Sequence, residues 1–549
     1  MCKKYFVMGT VLVILATFAL SSFASPCEVC STLTWQEVTA SPKSGGYGQA
    51  LLGTGDALYL LRAWSTGSWH FWRYDPESAT WQTLTPPPER PKNGTAMTWD
   101  GLEHIYVLLG GAYEDRGRRF FYRYHIASNS WERLADTPGD QGAGNAITWS
   151  FYDSRIYAFI GHEKLGSRFA SYDPKTNKWK LLTMPAGWNS TDDGASLVWA
   201  GGPYLYALRG EYDETRPAGS FARYRIDTQT WERLSDLPDP AGVGDGASLL
   251  WIGYWVPQLA PYVFALGGGG AREEPGYSFF VFDTYRLSWA RLADLPCPVG
   301  QYNGNRLAYA AGALWYWQGA PSTWSCGGTK IFRAPICISV DSASQYLGAT
   351  AIIIGVVAGA QRMPDGSVHL NLRKSNSEQT LLVLITGDKA TAFDSKMGWE
   401  WETKLIGARI CITGQVQKYY DQLYVALGEP EQILPIAIPA AMASQYYGQE
   451  VWVYGIVASV KRIESGTVFL NFIRPYPEQV FTIMVDKKYA PLFDQRFGPQ
   501  WERGLVGQIV CVYGLVKEYQ GKPEILPTDP TQLRSAALGV SCPEICPRR

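Results

Sequence analysis

A tryptophan returns along this chain at intervals of roughly 50 residues: Trp35, Trp81, Trp131, Trp179, Trp231 and Trp289. A period of that length means one supersecondary unit used over and over. Before Trp81, Trp131, Trp179 and Trp231 comes a Tyr-containing strand and a turn (Tyr74-Asp75-Pro76, Tyr124-His125-Ile126, Tyr172-Asp173-Pro174, Tyr224-Arg225-Ile226), and Phe282-Asp283-Thr284 does the same before Trp289. Further upstream an apolar strand runs into glycine: Tyr106 to Gly110-Gly111, Tyr157 to Gly161, Tyr206 to Gly210, Phe264 to Gly267-Gly268. A small sheet cannot bury both of its faces alone, so such units stack, with Trp and Tyr filling the wedges between them.

This pattern resembles the kelch repeat over residues 31–340. The resemblance implies four-stranded blades arranged as a β-propeller. Five complete units run from about Gly46 to Leu292. A sixth, near Gln301 to Ala334, has three strands and lacks its outer Trp strand. The orphan segment Trp35-Gln36-Glu37-Val38 would supply it, so an N-terminal strand is expected to close a six-bladed ring. A seventh blade would need a seventh Trp landmark, and none is present. Composition agrees with an all-β chain: 22 Trp, 33 Tyr, 56 Gly and 34 Pro among 549 residues, with only 18% charged. The 46% hydrophobic content excludes a wholly disordered chain, and a net charge of −1 excludes a generally basic nucleic-acid coat.

From about Asp341 a second repeat takes over. Ala343-Ser344-Gln345-Tyr346 returns as Ala443-Ser444-Gln445-Tyr446, and Trp401-Glu402 returns as Trp501-Glu502. Gly407, Cys411, Gly414 and Tyr419 return as Gly507, Cys511, Gly514 and Tyr519. Each copy reads as three strands, a short helical stretch and two strands. That is the order of a five-stranded OB-like barrel. The copies span 341–437 and 441–535, ahead of a Cys-containing tail, 536–549. The second copy resembles the OB-fold nucleic-acid-binding family through Gly455-Ile456-Val457, Gly466 to Phe472, Leu505-Val506-Gly507 and Gly521-Lys522-Pro523-Glu524-Ile525. In the first copy Asp421-Gln422-Leu423-Tyr424 departs from that last run.

A barrel that binds single strands needs stacking aromatics and cations. The second copy offers Tyr454, Phe469, Phe472, Tyr476 and Tyr519 with Lys461, Arg462, Arg474, Lys517 and Lys522. Alternate strand residues point inward, so some of these aromatics belong to the core. In the propeller, Asn93, Asp193, Asp245 and Asn303 each precede a glycine at the entry to an inner strand, and Arg62 and Arg209 end second strands. This set reads either as a polar ring at a channel mouth, able to take a glycan or a peptide, or as turn chemistry. Two carboxylates are few for a calcium site.

The N-terminus reads as a secretory signal over residues 1–24: Lys3 and Lys4, an apolar run from Tyr5, then Ser22-Phe23-Ala24. A soluble, secreted or cell-surface protein is expected, with no membrane span after cleavage. Export permits disulfides. Cys297 with Cys326, Cys27 or Cys30 with Cys337, and Cys542 with Cys546 are the expected pairs, while Cys411 and Cys511 read as buried free thiols. The chain has no nucleophile elbow, zincin motif, Walker loop or dinucleotide fingerprint, and only five His. The expectation is a binding protein, not an enzyme, without metal or cofactor. Single-stranded nucleic acid at the barrels is the first partner class, with the propeller as an interaction scaffold. The alternative is an extracellular protein or glycan at the propeller mouth.

Overall fold

The computed structural model describes residues 33–542 except 47, 63–66, 77, 112–114, 163–164, 211–218, 240–241, 270–275, 300–306, 319–327, 374–379, 399, 408, 435–436 and 541. Six four-stranded antiparallel sheets form the propeller. The first blade comprises Ala50–Gly53, Leu58–Arg62, His70–Asp75 and Thr80–Leu84. Blades two to five repeat that meander. The sixth is built from both ends of the domain: Leu307–Ala310, Ala313–Trp317 and Lys330–Pro335 take Gln36–Ala40 as their outer strand. Gln36 stands opposite Arg333 and Ala40 opposite Lys330. The closure expected from the orphan Trp35 segment is therefore present.

The recurring Trp has one structural job. A Phe on the third strand of blades one to five packs against the outer-strand Trp of the next, beginning with Phe71 on Trp131, Phe121 on Trp179, Phe169 on Trp231 and Phe221 on Trp289. Phe279 on Trp35 continues the series through the closing strand, with ring centroids 5.5 Å apart. The indole N–H then donates backward: Trp131 to Thr85 O at 2.8 Å, Trp231 to Thr183 O at 2.8 Å and Trp289 to Ser235 O at 3.0 Å. The wedges of Trp131, Trp179, Trp231 and Trp289 thus gain apolar burial and a satisfied donor together, whereas Trp35 and Trp81 contribute burial alone.

After Cys337 the chain builds two barrels. In the first, Thr350–Arg362 pairs with both Val368–Arg373 and Arg409–Tyr419. Thr380–Ile385 pairs in parallel with Gln422–Ala426, which returns to Arg409–Tyr419. The five strands close, and helix Gly387–Met397 lies between the third and fourth. This is consistent with the OB-like order read from the sequence. In the second copy Glu450–Arg462, Val468–Phe472, Phe481–Val485 and Lys522–Ile525 repeat the plan. Its fourth strand breaks at Val516 into Ile509–Leu515 and Lys517–Tyr519. An arginine clamps helix to barrel in both copies. Arg362 grips Asp394 and Glu402, and Arg462 grips Asp494 and Glu502.

The cysteines require correction. Cys511 is bonded to Cys542, so it is not a free thiol, and Cys542 does not pair with Cys546. The bond pins the C-terminal tail across the fourth strand of the second barrel. Cys411, also read as a free thiol, is disulfide-bonded, as is Cys297. Cys27, Cys30, Cys326 and Cys546 lie outside the described residues, as does the Cys337 side chain and the signal segment. No helix among the described residues is long and apolar enough to cross a membrane.

Candidate binding faces of the propeller and second barrel

The inner strands enter from one mouth of the propeller and turn at the other. At the entry mouth Asn93, Asp193 and Asp245 are half-buried, and Asn303 lies outside the described residues. The glycines that follow explain the pattern structurally. Gly94 has φ +72°, and a Cβ there would lie 2.0 Å from the Gly142 carbonyl oxygen of the next blade. Gly194 stands in the same relation to Gly244. Only glycine lets neighbouring inner strands approach this closely at the start of the channel. Arg62 and Arg209 are buried staples. Arg62 donates from Nε to Ser44 O at 2.6 Å and from Nη1 to Ser68 O at 2.9 Å, and Arg209 Nε donates to Ser190 O at 3.1 Å. Burial lowers the Arg62 pKa below its ordinary value. Among the described residues no cluster of three or more His, Cys, Asp or Glu is arranged to hold a metal.

The opposite mouth is occupied by the chain itself. In blade five the link from Trp251 to Tyr262 is longer than its counterparts (Trp99 to His104, Trp199 to Tyr204), and it crosses the axis. Trp255 lies parallel to Trp99, with centroids 6.2 Å apart, and stacks on Tyr309 at 5.1 Å. Tyr254 stacks on Phe151 at 5.3 Å. Gly55 makes room, since a Cβ there would sit 2.5 Å from the Trp255 indole nitrogen.

The second barrel docks over this plug. The Tyr454 hydroxyl donates to Trp255 O at 3.1 Å, and Gly202 N–H donates to Gly507 O at 2.6 Å. Arg474 Nη2 donates to Asp100 Oδ2 at 3.2 Å. Asp100 is 3% exposed, and its Oδ1 accepts the amides of Leu102, Glu103 and His104. His104 Nδ1 lies 2.9 Å from Oδ2. Burial alone would raise the Asp100 pKa; the His104 and amide hydrogen bonds outweigh it and hold the carboxyl below its ordinary range.

This docking sorts the barrel residues expected to meet a nucleic acid. Tyr454 is buried against the propeller, and burial raises its phenol well above the ordinary value. Phe472 is wholly buried in the barrel core. Arg462 is committed to Asp494 and Glu502, and Arg474 to Asp100. These four do not form a ligand face, because core packing, clamp and docking occupy them. The others remain on the outside. Lys461 pairs across to half-buried Phe469, which pairs to Met484. Lys522 Nζ donates to Pro477 O and Gln479 O, tying the loop of Tyr476 to the hairpin of Tyr519. Tyr476 is 72% exposed and Tyr519 60%, and Lys517 is exposed beside them. Two features escaped the sequence reading, the Trp255 plug and the barrel docking. The long Trp251–Tyr262 link was the available signal for the first.

The repeats, their register and the ring define a six-bladed propeller of the kelch-like kind. No protein-family model matches the chain. It is similar to the kelch-like protein terF of Aspergillus terreus, at 26% identity over 27% of this chain and 44% of that protein. It is also similar to the F-box/kelch-repeat protein OR23 of Arabidopsis thaliana, at 28% identity over 23% of this chain and 30% of that protein. The chain thus spans less than half the length of either relative.

Proposed function

We propose that this chain is an exported, non-enzymatic interaction scaffold that holds a protein partner at the propeller's entry mouth. The observation that carries the reading is the asymmetry of the propeller. One mouth is plugged by Trp255 and covered by the second barrel through Tyr454, Gly507 and Arg474, so the reading puts the partner at the other end, near Asn93, Asp193 and Asp245. Both curated relatives carry kelch in their names. Disulfide-bonded Cys297, Cys411, Cys511 and Cys542 support an oxidising, extracytoplasmic compartment. The test is photo-crosslinking of the full chain with a photoreactive residue at position 93 or 245. Crosslinks to one protein, lost in Asp193→Arg, are expected. Crosslinks to a glycan would favour the alternative ligand, and capture only through the barrels would overturn the reading.

A second reading is single-stranded nucleic acid at the second barrel, taken as an OB fold. Exposed Tyr476 and Tyr519, tied together by Lys522 and flanked by Lys517, favour it. Base stacking on each such ring contributes about 1–3 kcal/mol. Titration of the full chain with labelled oligo-dT and oligo-U at two salt concentrations tests it. Salt-sensitive binding weakened in Tyr519→Ala is expected, and no binding at low salt would overturn it.

A further inference from the structure

Blade three breaks a charge pattern that its neighbours keep. In blades two and four an ion pair joins the third strand to the outer strand, Arg123 with Glu132 and Arg223 with Glu232. The next outer-strand residue is again an arginine, held by an aspartate three positions on: Arg133 with Asp136 and Arg233 with Asp236. Blade five keeps this second pair as Arg291 with Asp294. Blade three has neither. Ser171 stands opposite Lys180 where the first pair belongs, and Leu181 and Met184 replace the second.

The result is an edge with uncompensated charge. Lys178 and Lys180 are exposed, and among the described residues neither forms an ion pair. Asp173, opposite Lys178, is taken by Arg155 at 2.9 Å. Lys175, in the preceding turn, reaches Glu478 of the second barrel at 3.6 Å. Leu181 is 55% exposed. The strand itself, Lys178–Leu182, is the last of its sheet, and among the described residues no strand pairs with its far side. Side chains alternate along it: Lys178 and Lys180 leave one face of the blade, Trp179 and Leu181 the other. Lysines on an edge discourage pairing with most strands. A strand with carboxylates at the same two-residue spacing is the exception, because each carboxylate stands beside a lysine.

We propose that the outer edge of blade three docks an acidic, extended segment of a partner protein as a fifth strand, with carboxylates at every second residue and aliphatic side chains between them. The carboxylates lie along Lys178 and Lys180, the aliphatic side chains along Leu181, and the free backbone edge supplies the hydrogen bonds. The site uses neither the mouth residues nor Tyr476 and Tyr519 of the second barrel, so it stands or falls independently of the partner readings.

The test is fluorescence anisotropy of the full chain with a labelled, end-blocked peptide of alternating glutamate and valine. Saturable binding is expected, weakened by salt and at least about tenfold weaker in the double variant Lys178→Glu with Lys180→Glu. That variant should take up an alternating lysine–valine peptide instead. Leu181→Arg with Met184→Asp, which writes in the ion pair of the other blades, should also weaken the glutamate–valine peptide. Thermal melts identify variants that have lost their fold. If the double variant unfolds, amide exchange of the unsubstituted chain decides the case. Slower exchange across residues 178–182 on adding peptide supports the site, and slowing only elsewhere overturns it. No saturable binding at low salt, equal binding of a peptide with its glutamates grouped together, or undiminished binding in the folded double variant would overturn it. Binding to phosphatidylserine vesicles without binding to the peptide would do the same.

Discussion

Removing the Arg474 guanidinium should loosen the second barrel from the propeller without unravelling the propeller turn it holds. The structure sets the size of the effect. Asp100 receives five contacts: three amides on Oδ1, with His104 and Arg474 on Oδ2. Arg474→Ala removes one of them, from a side chain 27% exposed, and leaves a carboxylate that is still solvated by four donors. The loss is that of one charged hydrogen bond, about 1.5 kcal/mol. Asp100→Ala removes all five and strands Arg474 and His104, so about 3–5 kcal/mol is expected. Amide hydrogen exchange separates the two outcomes. In Arg474→Ala the Gly202 amide, bonded across the interface to Gly507 O, should exchange about tenfold faster. The amides of Leu102, Glu103 and His104 should keep their protection. In Asp100→Ala both sets should be lost. If Arg474→Ala exposes residues 102–104, or leaves Gly202 unchanged, the division of labour around Asp100 is wrong.

Other outcomes follow from the same geometry. Cys511→Ser opens a loop of sequence separation 31 and should cost the second barrel about 3–4 kcal/mol, read by denaturant unfolding without reductant. Deleting residues 33–40 strips the sixth blade of its outer strand and of the Trp35 contacts with Phe279 and Tyr316, so the melting temperature should fall by several degrees in calorimetry. The Arg362 hydrogen bond, the largest influence on Glu402, lowers that carboxyl below its ordinary pKa. Its contribution to stability is therefore present above about pH 4.5 and is lost as pH falls through the folded value. Acid unfolding of Glu402→Gln should show a shallower pH dependence than the unsubstituted chain.

The propeller was legible because its signal is redundant. Trp, Tyr and Gly landmarks recur at matched places, and each marks a wedge or a close approach that any blade must make. The barrels were legible for the same reason, through duplication. The candidate sites were less so. Alternation says that some of the second barrel's aromatics turn inward and others outward, but what covers an outer face is a long-range fact: Tyr454 hydrogen-bonds Trp255, a propeller residue. Arg462 looked like a free cation because its two acid partners come from a helix and a turn well along the chain. Cys511 looked like a core thiol because its copy, Cys411, stands at the same strand position, and its partner Cys542 lies in the tail beyond the repeat. Local pattern reports which face a residue takes; it does not report the neighbour that arrives there.

The closing strand has a consequence for how the molecule is made. Glu37 and Lys330, ion-paired across the sixth blade at 2.8 Å, are separated by 293 positions. At ribosomal speeds of about 5–20 residues per second, roughly 15–60 s pass between the synthesis of one and of the other. Through that interval the blades made so far stand in an open arc, with the first presenting a bare flank. Any chain that stops short of residue 330 can never complete the circle, so synthesis through the sixth blade is written into the architecture as a condition for a closed propeller.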